Sequence, residues 1–521
     1  MGEMEAAVCM TDHFDKIQKL PDPIPGCPNF RRVPGFKVYC SGQPTIEGFE
    51  KALEKVCGTI YPKDGPIIWF NLRQEPTVYV NGESSNDYKM MQKILFSGNP
   101  ICARPANKIG EYAELGAITR DIIKAQETAF LGECEGRKSV GGGKLKVVDV
   151  NKKESEIEVK ELKSLSQVIE GLKEKFPGLI HWRVPVCNSA SPLETDFDII
   201  CKTLVGTSIN TPVIVNDQVG LSRATTGCVA ACLFKEFQIS ASFEGLVETV
   251  PGVNAALLKT DNYTMDPTKD ALFRGEFEVV KDLVAKLADG AGAKNNADKI
   301  IDLNGTKKTG GTGIKQLREN IAESKLSYEI MDDAAQAFLK SKIMDNIHKY
   351  FYIIAFAAYM RDAATKAREG VEADKKAAVA LPASGKCSIP AKELKIEGSF
   401  VDFVEKCGGL REMVEKGKGN LQWERDIPPA ALSNLENLAN TDFKSNLGKI
   451  IHDIYQTAHL MFADMPQGDH KKRAKYRFAS KTLMRILPTA AKTEVEGLIE
   501  KKKISLDLYE ILGVCTWVEP K

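Results

Sequence analysis

The sequence predicts an α/β domain followed by a mainly α-helical region. From residue 26 to about 255, short apolar runs alternate with segments of helical periodicity, which is typical of a sheet flanked by helices. From residue 256 to 521, helical periodicity dominates. In residues 343–358, for example, five apolar side chains recur every three or four positions and share one helix face. A chain of 521 residues is long enough for two such domains, so we predict domains at 26–255 and 256–521.

The elements of the first domain follow in order along the chain. Residues 1–25 are expected to form an extended N-terminal arm, because the prolines that begin at Pro21 remove hydrogen-bond donors. Residues 135–160 are rich in Gly, Lys and Glu and are interpreted as an exposed insertion, in the form of a β-hairpin. Apolar spacing predicts helices over 46–56, 109–130 and 225–237, and strands over 66–70, 181–186 and 212–216.

Charge and cysteine content limit the environment and the partners. The 71 Lys and Arg balance 70 Asp and Glu, so no overall field favours nucleic acid. The longest apolar run, residues 350–360, is too short to cross a bilayer, and no transmembrane segment is predicted. Thirteen cysteines, with no Cys-x-x-Cys pair and no secretory leader, indicate free thiols in a reducing compartment. We therefore expect a cytoplasmic protein.

The segment 212–237 is the most informative for function. A predicted strand runs into a short glycine-containing loop that ends at Arg223, and a predicted helix follows. Backbone N–H groups and the positive helix N-terminus converge on such a loop, which makes it a cradle for an anion. Cysteine-dependent phosphatases place their nucleophile six residues before the arginine. In this chain that position is Asp217, so the thiol is missing.

Several segments resemble the paladin family and, more distantly, the protein-tyrosine-phosphatase-like inositol polyphosphate phosphatases. They are residues 29–39 (NFRRVPGFKVY), 42–45 (GQPT) and 69–76 (WFNLRQEP). The loop of those proteins resembles Cys-Gln-x-Gly-x-Gly-Arg-Thr-Thr-Thr-Gly. Here residues 217–227 read Asp-Gln-Val-Gly-Leu-Ser-Arg-Ala-Thr-Thr-Gly, and the matching positions are Gln218, Gly220, Arg223, Thr225, Thr226 and Gly227. The resemblance implies a phosphatase-like fold with a phosphate-binding loop comprising Asp217, Gln218, Val219, Gly220, Leu221, Ser222 and Arg223.

The departures from this family pattern fall on the catalytic positions. Asp217 replaces the nucleophilic cysteine, and Ala224 replaces the hydroxyl that assists the thiolate. In the general-acid loop, Asn188 stands where the family has an aspartate, and an amide cannot protonate a leaving oxygen. We therefore predict a pseudophosphatase, which is not an enzyme.

The carboxylate of Asp217 has two possible roles. Within reach of the Arg223 guanidinium, it could accept the hydrogen bonds that a phosphate would otherwise accept, so that the loop is filled by its own side chain. As a nucleophile it would need a metal held by a second carboxylate two residues later, where this chain has Val219. We therefore expect no metal and no cofactor.

The resemblance also implies a rim of basic residues around the pocket, at which a polyanion could dock. These residues are Arg31, Arg32, Lys37, Arg73 and Arg183.

The leading prediction is a catalytically silent binding or scaffolding protein with protein partners and a possible phosphate or inositol phosphate ligand. Two alternatives stay open: an active phosphatase on inositol phosphates, phosphoinositides or phosphotyrosine, and a structural component of a cytoskeletal or ciliary assembly.

Overall fold

A computed structural model describes residues 7–11, 20, 22–58, 64–81, 99–105, 120–148, 154–186, 191–241, 272–305, 314–328, 333–378 and 396–419. The strands are β1 (Ala7–Thr11), β2 (Arg31–Arg32), β3 (Val38–Ser41), β4 (Ile67–Asn71), β5 (Thr77–Val80), β6 (Asn99–Pro105), β7 (Lys144–Val148), β8 (Glu154–Glu158), β9 (Leu162–Ser164), β10 (Leu179–Arg183) and β11 (Val213–Asn216).

The helices are α1 (Ile46–Cys57), α2 (Arg120–Val140), α3 (Leu165–Lys175), α4 (Glu194–Leu204), α5 (Arg223–Ala241), α6 (Glu278–Lys286), α7 (Gly290–Asn304), α8 (Leu317–Tyr328), α9 (Asp333–Ala378), α10 (Phe400–Cys407) and α11 (Leu410–Gly419). Within the described part of the chain, every element after residue 241 is a helix. The predicted fold class, an α/β phosphatase-like domain followed by a mainly helical region, is confirmed.

The central sheet has the order β10-β4-β11-β3-β2, and its first four strands are parallel. All five residues of β4 and all four of β11 are buried, as expected for strands covered on both faces. On one face, Phe49 of α1 and Ile169 of α3 pack in a core that contains Trp69 and Ile214. Helix α5 packs against β3 and β11.

A second sheet has the order β8-β7-β1-β6-β5-β9. Residues 7–11 of the predicted N-terminal arm are extended, and they are also part of this sheet, because β1 pairs with β6 along its whole length. The segment that pairs lies before the prolines and contains none, so its N–H groups are free to join a ladder.

The segment predicted as an insertion at 135–160 contains an antiparallel hairpin, in which Leu145 of β7 lies opposite Ile157 of β8. Its first residues, however, continue α2 to Val140. The hairpin also has a buried face, because Leu145 and Ile157 pack with Phe130 of α2. It is therefore part of the second sheet rather than a fully exposed addition.

The described residues form two compact units. The first contains the described residues up to 241 together with the described parts of 282–317 and 348–411. Within it, α7 packs against α5 and α10 packs against α4. The Asp198 carboxylate of α4 accepts the N–H of Phe400 at 2.6 Å, which satisfies the first N–H of α10. The second unit contains the described parts of 265–281, 318–347 and 412–521. The predicted boundary at residue 255 stays a prediction.

One cysteine pair departs from the expectation of free thiols. Cys40 of β3 and Cys228 of α5 form a disulfide, with Cα atoms 6.4 Å apart. The two residues are 188 positions apart, so no local spacing indicated the pair. Free cysteines among the residues described include Cys9, Cys27, Cys57, Cys134, Cys201, Cys232 and Cys407. No helix within the described ranges is long and apolar enough to cross a membrane.

Candidate functional site: the anion loop

The anion loop, residues 217–222, connects the end of β11 to the start of α5. Strand β11 lies between β4 and β3 in the parallel sheet, so the loop emerges at the carboxyl edge of the sheet centre. This is the position at which open α/β sheets bind ligands. The strand, the loop and the helix predicted from the sequence are all present, with α5 beginning at Arg223.

The Asp217 side chain occupies the cradle. Its Oδ1 accepts the backbone N–H groups of Val219 at 2.9 Å and of Gly220. Its Oδ2 accepts those of Ala224 at 3.0 Å and Ser222 at 3.4 Å. Only 3% of Asp217 is exposed. Four converging N–H donors thus surround one internal carboxylate, which is the geometry expected of a loop filled by its own side chain.

Glycine at position 220 permits this conformation of the loop. Its φ is +85°, a left-handed value that side-chain-bearing residues rarely adopt. A Cβ at this position would also lie 2.5 Å from the backbone N of Gly42. The loop therefore packs directly on the backbone that follows β3. The N–H of Gln43 donates to the carbonyl of Gln218 at 3.0 Å and joins the two segments.

Arg31 and Asn29 hold the loop from the side of β2. Arg31 donates to the carbonyl of Gly220 at 2.7 Å and to Oγ1 of Thr225 at 2.8 Å. Asn29 donates to the carbonyl of Val219 at 2.7 Å. Burial lowers the pKa of Arg31 to about 10, while the nearby Asp217 carboxylate acts in the opposite direction. Arg31 thus neutralises part of the loop charge while its hydrogen bonds are to protein groups.

The Arg223 guanidinium is bound to a residue that sequence reasoning missed. Its Nη2 donates to both carboxylate oxygens of Glu75 at 3.3 Å, and its Nη1 donates to the carbonyl of Val186 at 2.9 Å. Arg73 forms a second ion pair with Glu75, also at 3.3 Å. The expected contact between Arg223 and Asp217 is not made. A signal for Glu75 did exist, since it is a charged residue shortly after a fully buried strand.

Arg183 extends this buried ionic cluster to α2. It donates to the carbonyls of Arg73 at 2.8 Å and Glu75 at 2.7 Å, and its Nη2 lies 3.2 Å from a carboxylate oxygen of Glu127. The same oxygen of Glu127 accepts the N–H of Thr77 at 3.2 Å. Burial raises the pKa of Glu127, whereas Arg183 and the Thr77 hydrogen bond act to lower it. Glu127 was not predicted, because nothing in its helix marks it as a partner of Arg183.

A neutral hydrogen-bond network lies beneath the loop. The Oε1 of Gln43 accepts from Asn71 at 3.2 Å and Asn216 at 3.1 Å, and its Nε2 donates to Tyr79 at 2.7 Å. Trp69 donates to Asn216 at 2.8 Å. Every one of these side chains is buried. Because the network joins the ends of β4 and β11 to β5, it fixes the floor of the loop.

The anion loop lies in a part of the chain that is similar to known proteins. Residues 92–235 match the sequence model of the protein-tyrosine-phosphatase-like phytases, and the description of that model is "inositol hexakisphosphate". The matched range includes the entire anion loop. Paladin from Xenopus tropicalis is 23% identical over 336 residues, 64% of this chain and 34% of paladin. This chain is thus similar in sequence to paladin and to the protein-tyrosine-phosphatase-like phytases. Paladin from Danio rerio is 22% identical over 362 residues, 65% of this chain and 38% of that protein. The chain thus spans about a third of the length of the curated relatives it matches.

Among solved structures, the tandemly repeated phytase-type phosphatase from Mitsuokella multacida is similar, with a TM-score of 0.40 and 14% identity. The match covers 70% of this chain and 48% of that one.

The positions that the resemblance marks as catalytic can be located in this structure with one exception. Asp217 and Ala224 are buried at the loop, where Ala224 contributes its backbone N–H but no hydroxyl. Asn188 lies outside the described residues. Of the remaining loop residues, Gln218 is buried, and Val219, Leu221 and Ser222 are half-buried.

The basic residues that the resemblance placed at the rim of the pocket separate into two groups. Arg31, Arg73 and Arg183 are buried and hydrogen-bonded to protein groups, as described above. Arg32 is exposed and donates to the carbonyl of Phe36 at 2.7 Å, and Lys37 is half-buried. Burial and the neighbouring Arg32 lower the pKa of Lys37. Only the last two therefore lie where a dissolved polyanion could reach them in this conformation.

Proposed function

We propose that this chain is a catalytically inactive member of its family that works as a binding or scaffolding module. The observation that supports this proposal best is the Asp217 carboxylate inside the anion loop. Covalent phosphatase chemistry of this kind needs a thiolate there. A carboxylate that accepts four backbone N–H groups has its lone pairs directed at those donors rather than at a substrate.

Electrostatics also disfavours a phosphate in the loop. A second anion beside Asp217 would be repelled by on the order of 4 kcal/mol at 4 Å and an effective dielectric constant near 20. The loop N–H groups that would offset this repulsion already donate to Asp217. A phosphate would therefore need to displace an internal, prepositioned carboxylate.

The occupied arginine supports the same proposal. Arg223 would supply the fork that binds two phosphate oxygens. In this structure the Arg223 guanidinium donates instead to both carboxylate oxygens of Glu75. Both anion-binding groups of the site, the N–H cradle and the guanidinium, are thus satisfied by internal carboxylates.

The proposed ligand and location go beyond the site itself. We propose that an inositol phosphate, if bound, lies outside the loop near Arg32 and Lys37, and the family's description by inositol hexakisphosphate supports this ligand class. We also propose a cytoplasmic location. The free thiols named above support it, whereas the Cys40–Cys228 disulfide is an exception to the pattern expected of a reducing compartment.

Turnover of p-nitrophenyl phosphate tests the central part of the proposal. We expect the wild-type protein and Arg223→Ala to release p-nitrophenol at the same background rate, since neither has a nucleophile. Arg411→Ala is the matched control, because it removes an exposed guanidinium of α11. Wild-type activity that Arg223→Ala abolishes and Arg411→Ala retains would overturn the proposal and favour an active phosphatase.

A further inference from the structure

A pair of cysteines unrelated to the anion loop lies between the second sheet and α2. Cys9 is on β1 and Cys134 is on α2, 125 residues later. Their Sγ atoms are 3.8 Å apart and share a hydrogen bond. The exposed fractions of Cys9 and Cys134 are 1% and 0%. The two sulfurs are thus in direct contact inside the protein, without an intervening side chain.

A cation next to Cys9 makes the two sulfurs unequal. Nη1 of Arg137, one helical turn after Cys134, lies 3.5 Å from the Cys9 Sγ. The hydrogen bond from Cys134 and the charge of Arg137 lower the pKa of Cys9, against the effects of burial and Glu133. The pKa of Cys134 is raised by the hydrogen bond to Cys9 and by burial. Cys9 therefore loses its proton more readily than Cys134 does, which makes Cys9 the better candidate for the attacking sulfur.

Cys9 also differs from other buried thiols of the protein. Burial raises the pKa of Cys27 to about 12 and shifts the pKa values of Cys201 and Cys232 upward. The pair is close to solvent as well, because 33% of the Arg137 side chain is exposed and its guanidinium touches the Cys9 sulfur. A partly exposed side chain is thus among the groups that cover the Cys9 sulfur.

We propose that Cys9 and Cys134 form a reversible disulfide, with a hydroperoxide such as hydrogen peroxide as the oxidant. The Cys9 thiolate attacks one peroxide oxygen, the O–O bond breaks, and the departing hydroxide takes a proton to become water. Cys134 then attacks the Cys9 sulfenic acid: the S–S bond forms, the S–O bond breaks, and a second water leaves with the Cys134 proton. Two thiols lose two electrons and two protons, and the peroxide is reduced to two waters.

The disulfide would tie the N-terminal strand to α2. Strand β1 lies between β7 and β6 in the second sheet, so a cross-link from β1 to α2 also restricts the motion of these two neighbouring strands. We expect slower amide hydrogen exchange in β1 after oxidation, and the original exchange rate after reduction with dithiothreitol. This modification is independent of the anion loop and of whether the protein is a pseudophosphatase.

Peptide mapping of the full chain tests the proposal. Reduced protein is treated with hydrogen peroxide, alkylated without reduction, digested with trypsin and analysed by mass spectrometry. The expected product joins the peptides 1–16 and 125–137, and it disappears after dithiothreitol. The Cys40–Cys228 disulfide gives a different peptide pair. Cys57→Ser is the matched control, because it removes another buried free thiol and should leave the product unchanged.

Two variants separate the proposed roles. Cys134→Ser should leave a sulfenic acid on Cys9 that dimedone traps. Arg137→Gln keeps both thiols and should slow the cross-link severalfold, because loss of the neighbouring cation leaves a smaller fraction of Cys9 as thiolate. The proposal is overturned if wild-type protein yields no peptide pair, if Cys9 joins another cysteine, or if Arg137→Gln reacts as fast as wild type.

Discussion

At the residue scale, the anion loop shows how a side chain of the protein itself can occupy an anion-binding loop. The loop still presents converging N–H groups, and Asp217 provides the anion that they require. Because that anion is covalently attached, it binds without the loss of translational freedom that a dissolved ligand would incur. The same backbone geometry that would hold a phosphate is thus retained around an internal carboxylate.

Glu75 is expected to be a major contributor to stability at this site. Glu75→Gln leaves Arg73 and Arg223 buried with less compensating charge, and breaking a buried ion pair costs about 3–5 kcal/mol. We therefore expect urea unfolding to show a loss of about 3 kcal/mol. The control is Glu170→Gln, whose ion pair with Lys173 is exposed and should contribute less than about 1 kcal/mol. Equal losses in the two variants would contradict this account of Glu75.

The two carboxylates at the site differed in how well the sequence could predict them. Asp217 was found by counting six residues back from Arg223, because both lie in one local loop. Glu75 lies 148 residues before Arg223, so only the tertiary structure brings them together. The predicted contact between Asp217 and Arg223 is wrong for a related reason. Asp217 accepts N–H groups of its own loop, and Arg223 donates to Glu75.

At the scale of elements, apolar runs predicted the central strands well and the second sheet poorly. Strand β4 was expected at 66–70 and is found at 67–71; β11 was expected at 212–216 and is found at 213–216. Strands buried on both faces have continuous apolar sequences. Strand β1 exists because it pairs with β6, about ninety residues later, and no local pattern encodes that pairing.

Helix α4 is expected to give the protein a measurable pH dependence through Asp196. Burial raises the pKa of this carboxyl group from 3.8 to about 6, although it accepts the N–H of Leu193 at 2.8 Å. The folded protein therefore binds this proton more tightly than the unfolded chain, and stability falls as the pH rises from about 4 to about 6. Relative to wild type, Asp196→Asn should gain about 2–3 kcal/mol between pH 4 and pH 7.

Asp402 of α10 provides the matched control for this measurement. It occupies the same position near its helix start, but the hydrogen bonds from Ser399 lower its pKa. A lowered pKa makes stability fall only as the pH drops below the ordinary carboxyl range. Thermal unfolding of Asp402→Asn should therefore follow the wild-type pH trend from pH 5 to 7. An Asp196→Asn curve parallel to wild type would show that Asp196 is not the titrating group.

At the scale of the whole molecule, helices distant in sequence belong to the same compact unit as the anion loop. Phe400 of α10 contacts Phe197 of α4 and Phe356 of α9, with ring centroids 5.3 Å apart in each pair. Arg411 forms an ion pair with Glu194 on the same side of α4. The sequence indicated that these later segments are helical, but not which of them pack against α4, because their apolar faces do not specify a partner.

The claim that the loop is filled by Asp217 is tested most directly by isothermal titration calorimetry with inositol hexakisphosphate. Wild type, Asp217→Ser and the exposed control Asp121→Ser are compared, after circular dichroism shows that all three are folded. We predict at least about tenfold tighter binding by Asp217→Ser than by the other two, since removing even 1.4 kcal/mol of repulsion has that effect. Wild-type binding as tight as, or tighter than, that of Asp217→Ser would contradict the account.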